Sequence, residues 1–185
     1  MKKLILFSIL LMGLSTYAQP QSDKDNYFSI SIGTDIRNSI QGSKPTGDIP
    51  ALDITLDAHA VTDNIDFNIG YELFPTLLFT RKYVALGYHF YIADLNNTNI
   101  RFSIQPSLEW SCIWRGQLES DQEPERQYST PSLNINWNWD IGKHFAVQLA
   151  TNFLPRVDNR IIFNEPKTRI VISEGLKIVY KIPNN

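Results

Sequence analysis

The sequence predicts an all-β fold: an up-and-down antiparallel β-barrel of about eight strands, of the transmembrane type. Three observations carry this. Apolar and polar residues alternate with period two through about eight segments. Short and long connections alternate between those segments. The polar positions are mostly small or uncharged rather than lysine and glutamate.

The segments follow in chain order. In the first, Phe28, Ile30, Ile32, Thr34 and Ile36 share one face, and Tyr27, Ser29, Ser31, Gly33 and Asp35 the other. In the second, Leu52, Ile54, Leu56, Ala58 and Ala60 oppose Asp53, Thr55, Asp57 and His59. The third sets Ile65, Phe67, Ile69, Tyr71 and Leu73 against Asp66, Asn68, Gly70 and Glu72. The fourth, about 82–93, sets Val84, Leu86, Tyr88, Phe90 and Ile92 against Tyr83, Ala85, Gly87, His89 and Tyr91. The fifth alternates Ile100, Phe102, Ile104, Leu108, Trp110, Cys112 and Trp114 with Arg101, Ser103, Gln105, Ser107, Glu109, Ser111 and Arg115. Pro106 removes a ladder donor there, and a bulge is expected. The sixth sets Leu133, Ile135, Trp137, Trp139 and Ile141 against Asn134, Asn136, Asn138 and Asp140. The seventh has Phe145, Val147, Leu149, Thr151 and Phe153 on one face, and the eighth Ile170, Ile172, Leu176, Ile178, Tyr180 and Ile182. No segment shows a helical stripe.

Thr62-Asp63-Asn64, Leu95 to Thr98 and Gly142-Lys143-His144 are tight connections. Those over 38–50, 75–81, 116–130 and 155–168 are longer. Short turns on the periplasmic side and long loops outside are the membrane-barrel pattern.

The N-terminus reads as an export signal over 1–18: Lys2 and Lys3, an apolar run of about eleven residues from Leu4, and small Thr16 and Ala18. A short extension (19–26) precedes a barrel domain over 27–185. The apolar run is too short to anchor the chain, since spanning takes roughly 20 residues. A net charge of −2 without a basic cluster excludes nucleic acid as an expected partner. The single cysteine, Cys112, cannot form an internal disulfide and reads as packing.

Alternation does not say which face is outside. A soluble lipocalin-like barrel carrying an apolar ligand would turn the apolar face inward. The small polar residues favour the narrow interior of a membrane barrel instead. The lipid-facing aromatics are then Tyr71, Tyr88, Phe90, Trp110, Trp114, Trp137, Trp139, Phe145, Phe153 and Tyr180, with girdles near the strand ends. The lumen receives Asp35, Asp53, Asp57, His59, Asp66, Glu72, Arg101, Glu109, Arg115, Asp140, Arg169 and Lys177, together with Arg37 and Lys181. The signs nearly balance, so paired charges that plug the interior are expected rather than a pore.

No catalytic, cofactor or metal site emerges. His59 beside Asp66 could form a general-base pair, but a structural ion pair is the stronger reading. His59, His89 and His144 lack metal-ligand spacing. No serine stands in a nucleophile motif. Glu119, Asp121, Glu123 and Glu125 make one long loop acidic, and Arg160 to Phe163 lie in another or in a hairpin extension of its strands.

The signal ending in Tyr17-Ala18-Gln19, the alternating strands and the loop order resemble the small outer-membrane β-barrel proteins of Bacteroidota. The resemblance implies a Gram-negative outer-membrane location and a non-enzymatic role as a structural, adhesive or accessory part of the cell envelope. Its expected contacts are outer-membrane lipid and an envelope-protein partner at the loops 38–50, 116–130 and 155–168. A lipid-interface acyltransferase-type barrel enzyme and a narrow channel are the remaining alternatives.

Overall fold

The chain forms a closed antiparallel barrel of eight strands. The computed structural model describes residues 26–41, 52–75, 79–95, 100–115, 126–157 and 166–183. The expected signal, most of the extension, the acidic loop segment 116–125, Arg160 to Phe163 and the 96–99 turn lie outside those residues.

The strands are β1 (Tyr27–Asp35), β2 (Ile54–Thr62), β3 (Ile65–Phe74), β4 (Phe79–Tyr88), β5 (Phe90–Leu95), β6 (Ile100–Arg115), β7 (Arg126–Ile141), β8 (Phe145–Pro155) and β9 (Ile170–Pro183). Each pairs with its sequence neighbour, except that β4 and β5 are two halves of one strand and both pair with β6. The β1–β9 ladder closes the barrel.

Pro106 accounts for the divided strand. Gly87 faces Ser107 and Phe90 faces Ile104, which sets Tyr88 opposite Pro106. Proline offers no N–H, and the ladder opens beside it at His89, whose own N–H turns to the Asn64 carbonyl at 2.8 Å. The bulge expected at Pro106 itself is absent, since β6 and β7 pair without a break through Pro106 and Ile135. The irregularity falls on β5, between Tyr91 and Ala93.

The strands run askew to the barrel axis. The pairing row from Tyr27 climbs through Val61, Asp66, Gly87, Ser107, Asn134 and Asn152 to Ser173. Ser173 lies two residues beyond Gly175, the partner of Asp35 at the end of β1. This stagger is what closing a tilted sheet requires.

At one end, called here the turn end, β2 and β3 join through Asp63 and Asn64, with φ of 52° and 69°. Two successive positive φ values make a type I′ hairpin turn, which suits Asp and Asn. Gly142 (φ 67°) serves the β7–β8 turn.

At the opposite, loop end, three expectations need correction. Ile36–Gln41 forms a short helix, α1, not a strand end and loop. Asp35 caps it, its Oδ1 accepting from the Asn38 N–H at 2.8 Å. β4 begins at Phe79, so Arg81 lies in a strand and not in a long connection. β7 begins at Arg126, shortening the 116–130 loop.

Candidate functional site

Burial is inverted relative to a water-soluble domain. Most large aliphatic and aromatic residues of the strands point outward, with Leu108 73% and Ile178 61% exposed. Most buried side chains are polar or charged. All ten aromatics expected on the outer face point outward; Tyr71, Trp114, Trp137 and Phe153 are half-buried among their neighbours. Near the turn end, Phe28, Phe67, Tyr88, Phe102, Trp139, Phe145 and Tyr180 form a belt crossing seven of the eight strands. Neighbours in it touch: Phe145 and Tyr180 lie 5.4 Å apart, and Phe102 and Trp139 5.3 Å.

Inside, acids meet their partners in tiers. At the turn end Lys181 donates to Asp140 (2.6 Å), with its ammonium 4.5 Å from the Tyr27 ring. The next tier centres on Asp66, with His59 Nδ1 at 2.9 Å, His89 Nε2 at 3.6 Å and a hydrogen bond from Gln105. His59 and Asp66 thus meet across the tight β2–β3 hairpin. Above them Asp57 accepts from Lys177 and Ser31, each at 2.7 Å, and from Tyr83.

The tier towards the loop end centres on Glu109. Its Oε1 accepts from Arg81 (3.0 Å), Ser111 (2.6 Å) and Ser132 (2.9 Å). Arg81 also reaches Glu72 at 2.6 Å and lies over the Tyr83 ring. A cavity of about 20 Å³ lies against this tier, bordered by Asp35, Thr55, Asn134, Asn152 and Lys177. It has room for about one water.

Asp53 sits just before β2, at the loop-end mouth, and accepts from Asn38 of α1 at 2.8 Å. Burial pushes its carboxyl up to about 8, helped by Glu72 and Asp35, against the Asn38 hydrogen bond and Arg81. Glu72 acts on Asp53 as a like charge, and it is Asn38 that bonds it.

The mouth also carries an apolar cluster the sequence analysis missed. Phe74, Phe79, Ile113 and Leu154 pack together facing inward, with Tyr128 against them. The Arg115 and Arg156 guanidinium groups lie 5.2 and 5.1 Å from the Phe79 ring. Ile113 was findable, since its parity matches Glu109 and Arg115. Phe74 and Phe79 flank the connection of the β3–β4 hairpin, where alternation gives no guidance.

Of the twelve charged residues expected inside, Asp35, Asp53, Asp57, His59, Asp66, Glu109, Arg115, Asp140 and Lys177 are buried and Glu72 is half-buried. Arg101 is half-buried at the turn end, over the Tyr91 ring at 5.2 Å. Arg169 is exposed before β9 begins, and Arg37 is exposed on α1. Neither lines the interior, because the strands that alternation assigned them to stop short of them.

The expected near-balance of charge shifts accordingly. Among the described residues seven carboxyl groups face inward (Asp35, Asp53, Asp57, Asp66, Glu72, Glu109, Asp140) against five bases (Arg81, Arg101, Arg115, Lys177, Lys181). His59 and His89 stand at the acidic surplus. Among the described residues no group of three or more His, Cys, Asp and Glu is placed to hold a metal ion.

This barrel has solved counterparts. The N-terminal β-barrel domain of Pseudomonas aeruginosa OprF matches with a TM-score of 0.57 at 10% identity, covering 86% of this chain and 100% of that one. Neisserial surface protein A (NspA) matches with 0.54 at 8% identity, covering 86% and 97%. At such identity the likeness is one of fold. No family model matches the chain, and no curated protein matches it.

Proposed function

We propose that the chain is a non-enzymatic outer-membrane barrel with a closed interior, which acts in the cell envelope through its loop end. The observation that carries this is the pair of faces. The outward face is apolar along nearly every strand, while the inward face holds charges tied to one another. In water this face would form a contiguous apolar patch far larger than the few hundred Å² that soluble monomers expose. A lipid bilayer gives that surface a solvent, and the aromatic belt near the turn end fits its interfacial zone.

A lipocalin-like carrier needs the opposite arrangement, an apolar cavity inside a polar wall. A conducting pore needs a wet path. Here the ion-paired tiers fill a barrel whose eight strands leave room for little beyond side chains. The resting function of the interior is therefore structural, and His59 with Asp66 belongs to that network. Contacts with an envelope partner fall to α1 and the loop-end connections. Membership of a Bacteroidota envelope would make this an adhesive or accessory component there.

The test is fractionation followed by electrophoresis with and without heating. The folded chain should sediment with membranes, resist salt extraction and change mobility on boiling in detergent. In planar bilayers it should give no steady conductance. Recovery in the soluble fraction without detergent would overturn the reading.

A further inference from the structure

Among the described side chains on the outward face of the strands, Lys82 and Glu174 alone carry charge. Both are exposed. They differ in sign and stand on opposite sides of the barrel. β4 and β9 are four strands apart through β3, β2 and β1, and four apart through β6, β7 and β8.

They also lie at one depth. From Ile32, Lys82 is three strands across, through Leu56 and Tyr71. Glu174 is level with the position after Asp35, four residues further along β1 and one strand back. In strands tilted roughly 40°, a step along and a step across climb nearly equal distances, so the two lie within about one residue's rise of each other.

Neither charge suits the lipid face, and the two are held differently. Lys82 lies 4.9 Å from the Trp114 ring, which fixes its ammonium at the surface. Glu174 lies between Ile172 and Leu176 on its own strand and faces Thr151 on β8. Among the described residues no hydrogen bond or ion pair holds its carboxylate. An ionisable group facing lipid calls for a partner.

We infer that barrels of this chain associate side by side in the membrane, Glu174 of one copy meeting Lys82 of the next. Because the two faces are diametrically opposed, the contact is head-to-tail and does not close on itself. Copies related by translation form an open row. This inference rests on the membrane reading above.

The chain offers its own reporter. Cys112 pairs with Lys82 across the β4–β6 ladder, and Thr151 pairs with Glu174 across β8–β9. In the proposed row, β6 of one copy faces β8 of the next. Full-length Thr151→Cys protein, reconstituted in phosphatidylcholine vesicles and treated with a long bis-maleimide, should give a ladder of dimers, trimers and higher species. Adding Cys112→Ser should abolish the ladder. In the Thr151→Cys background, Glu174→Lys should lower its yield at least tenfold, and Lys82→Glu with Glu174→Lys should restore it.

A yield indifferent to these charges overturns the inference, as does a product that stops at the dimer. So does a result in which Glu174→Gln changes nothing and, in vesicles that also contain phosphatidylglycerol, Lys82→Gln instead releases that lipid, since the lysine then serves a lipid headgroup. Heat-shifted mobility checks that each variant has folded. A chain that never inserts fails the membrane reading; an inserted barrel with charge-blind cross-linking fails the lateral contact alone.

Discussion

Lys177 on β9 reaches Asp57 on β2 at 2.7 Å, across the strand β1 that lies between them. Both groups are buried. Removing one member of such a pair leaves an uncompensated charge, which costs about 3–5 kcal/mol, whereas removing both costs far less. Lys177→Met should therefore lower the urea-unfolding stability in detergent or vesicles by about that amount. Adding Asp57→Asn should recover most of the loss. Equal stability of the single variant and the wild type would mean the lysine is not needed inside.

Asp53 gives a pH signature. Its carboxyl is raised in the folded protein to about 8, first by burial. The folded state therefore holds a proton that the unfolded chain releases near pH 4. The stability this proton contributes is complete below about pH 4 and is lost as pH rises through about 8. Asp53→Asn keeps an acceptor for Asn38 and carries no charge. It should match the wild type at pH 4 and be more stable at pH 9, as read from unfolding midpoints across that range.

Gly70 marks a close approach. A Cβ there would lie 2.2 Å from the Tyr83 ring and 2.5 Å from Asp57 Oδ1. Tyr83 cannot swing clear without losing its hydrogen bond to Asp57. Gly70→Ala should cost about 1–3 kcal/mol from overpacking, and a Tyr83→Val background should relieve it. Thermal unfolding of the two single variants and the double decides the point.

The β2–β3 turn should be sensitive to backbone chemistry. Asn64 has φ of 69°, which a β-branched side chain resists. Asn64→Ile should cost about 1–3 kcal/mol, and Asn64→Gly should be close to neutral. Refolding into vesicles, followed by the heat-shifted band, reports both.

The barrel was legible in the sequence because its two environments are sorted by a period of two. Parity alone put Asp57, Glu109 and Lys177 on one face and Ile30, Trp110 and Tyr180 on the other. What parity lacks is a stopping rule. Arg37 and Arg169 continue the inward series on paper, but β1 gives way to α1 and β9 begins after Arg169. Arg81 was lost by the reverse error, since the 75–81 connection was drawn longer than the chain makes it and β4 begins at Phe79. The pairing partners were hidden for another reason. They depend on the stagger, which sets side by side residues on strands that are not sequence neighbours, as with Asp57 on β2 and Lys177 on β9. The mouth cluster of Phe74, Phe79, Ile113 and Leu154 reverses the polarity rule, so a pattern that equates apolar with outward could not find it.

The position of the two buried lysines has a bearing on biogenesis. Lys177 and Lys181 both belong to the last strand of the described chain, while their carboxylate partners, Asp57 and Asp140, belong to β2 and β7. A nascent sheet that lacks its final hairpin arm would hold two acids without the lysines that pair with them, and an open seam beside β1. Sealing the seam and neutralising the interior are then one event. An incomplete intermediate has reason to stay with whatever machinery shelters it until β9 arrives.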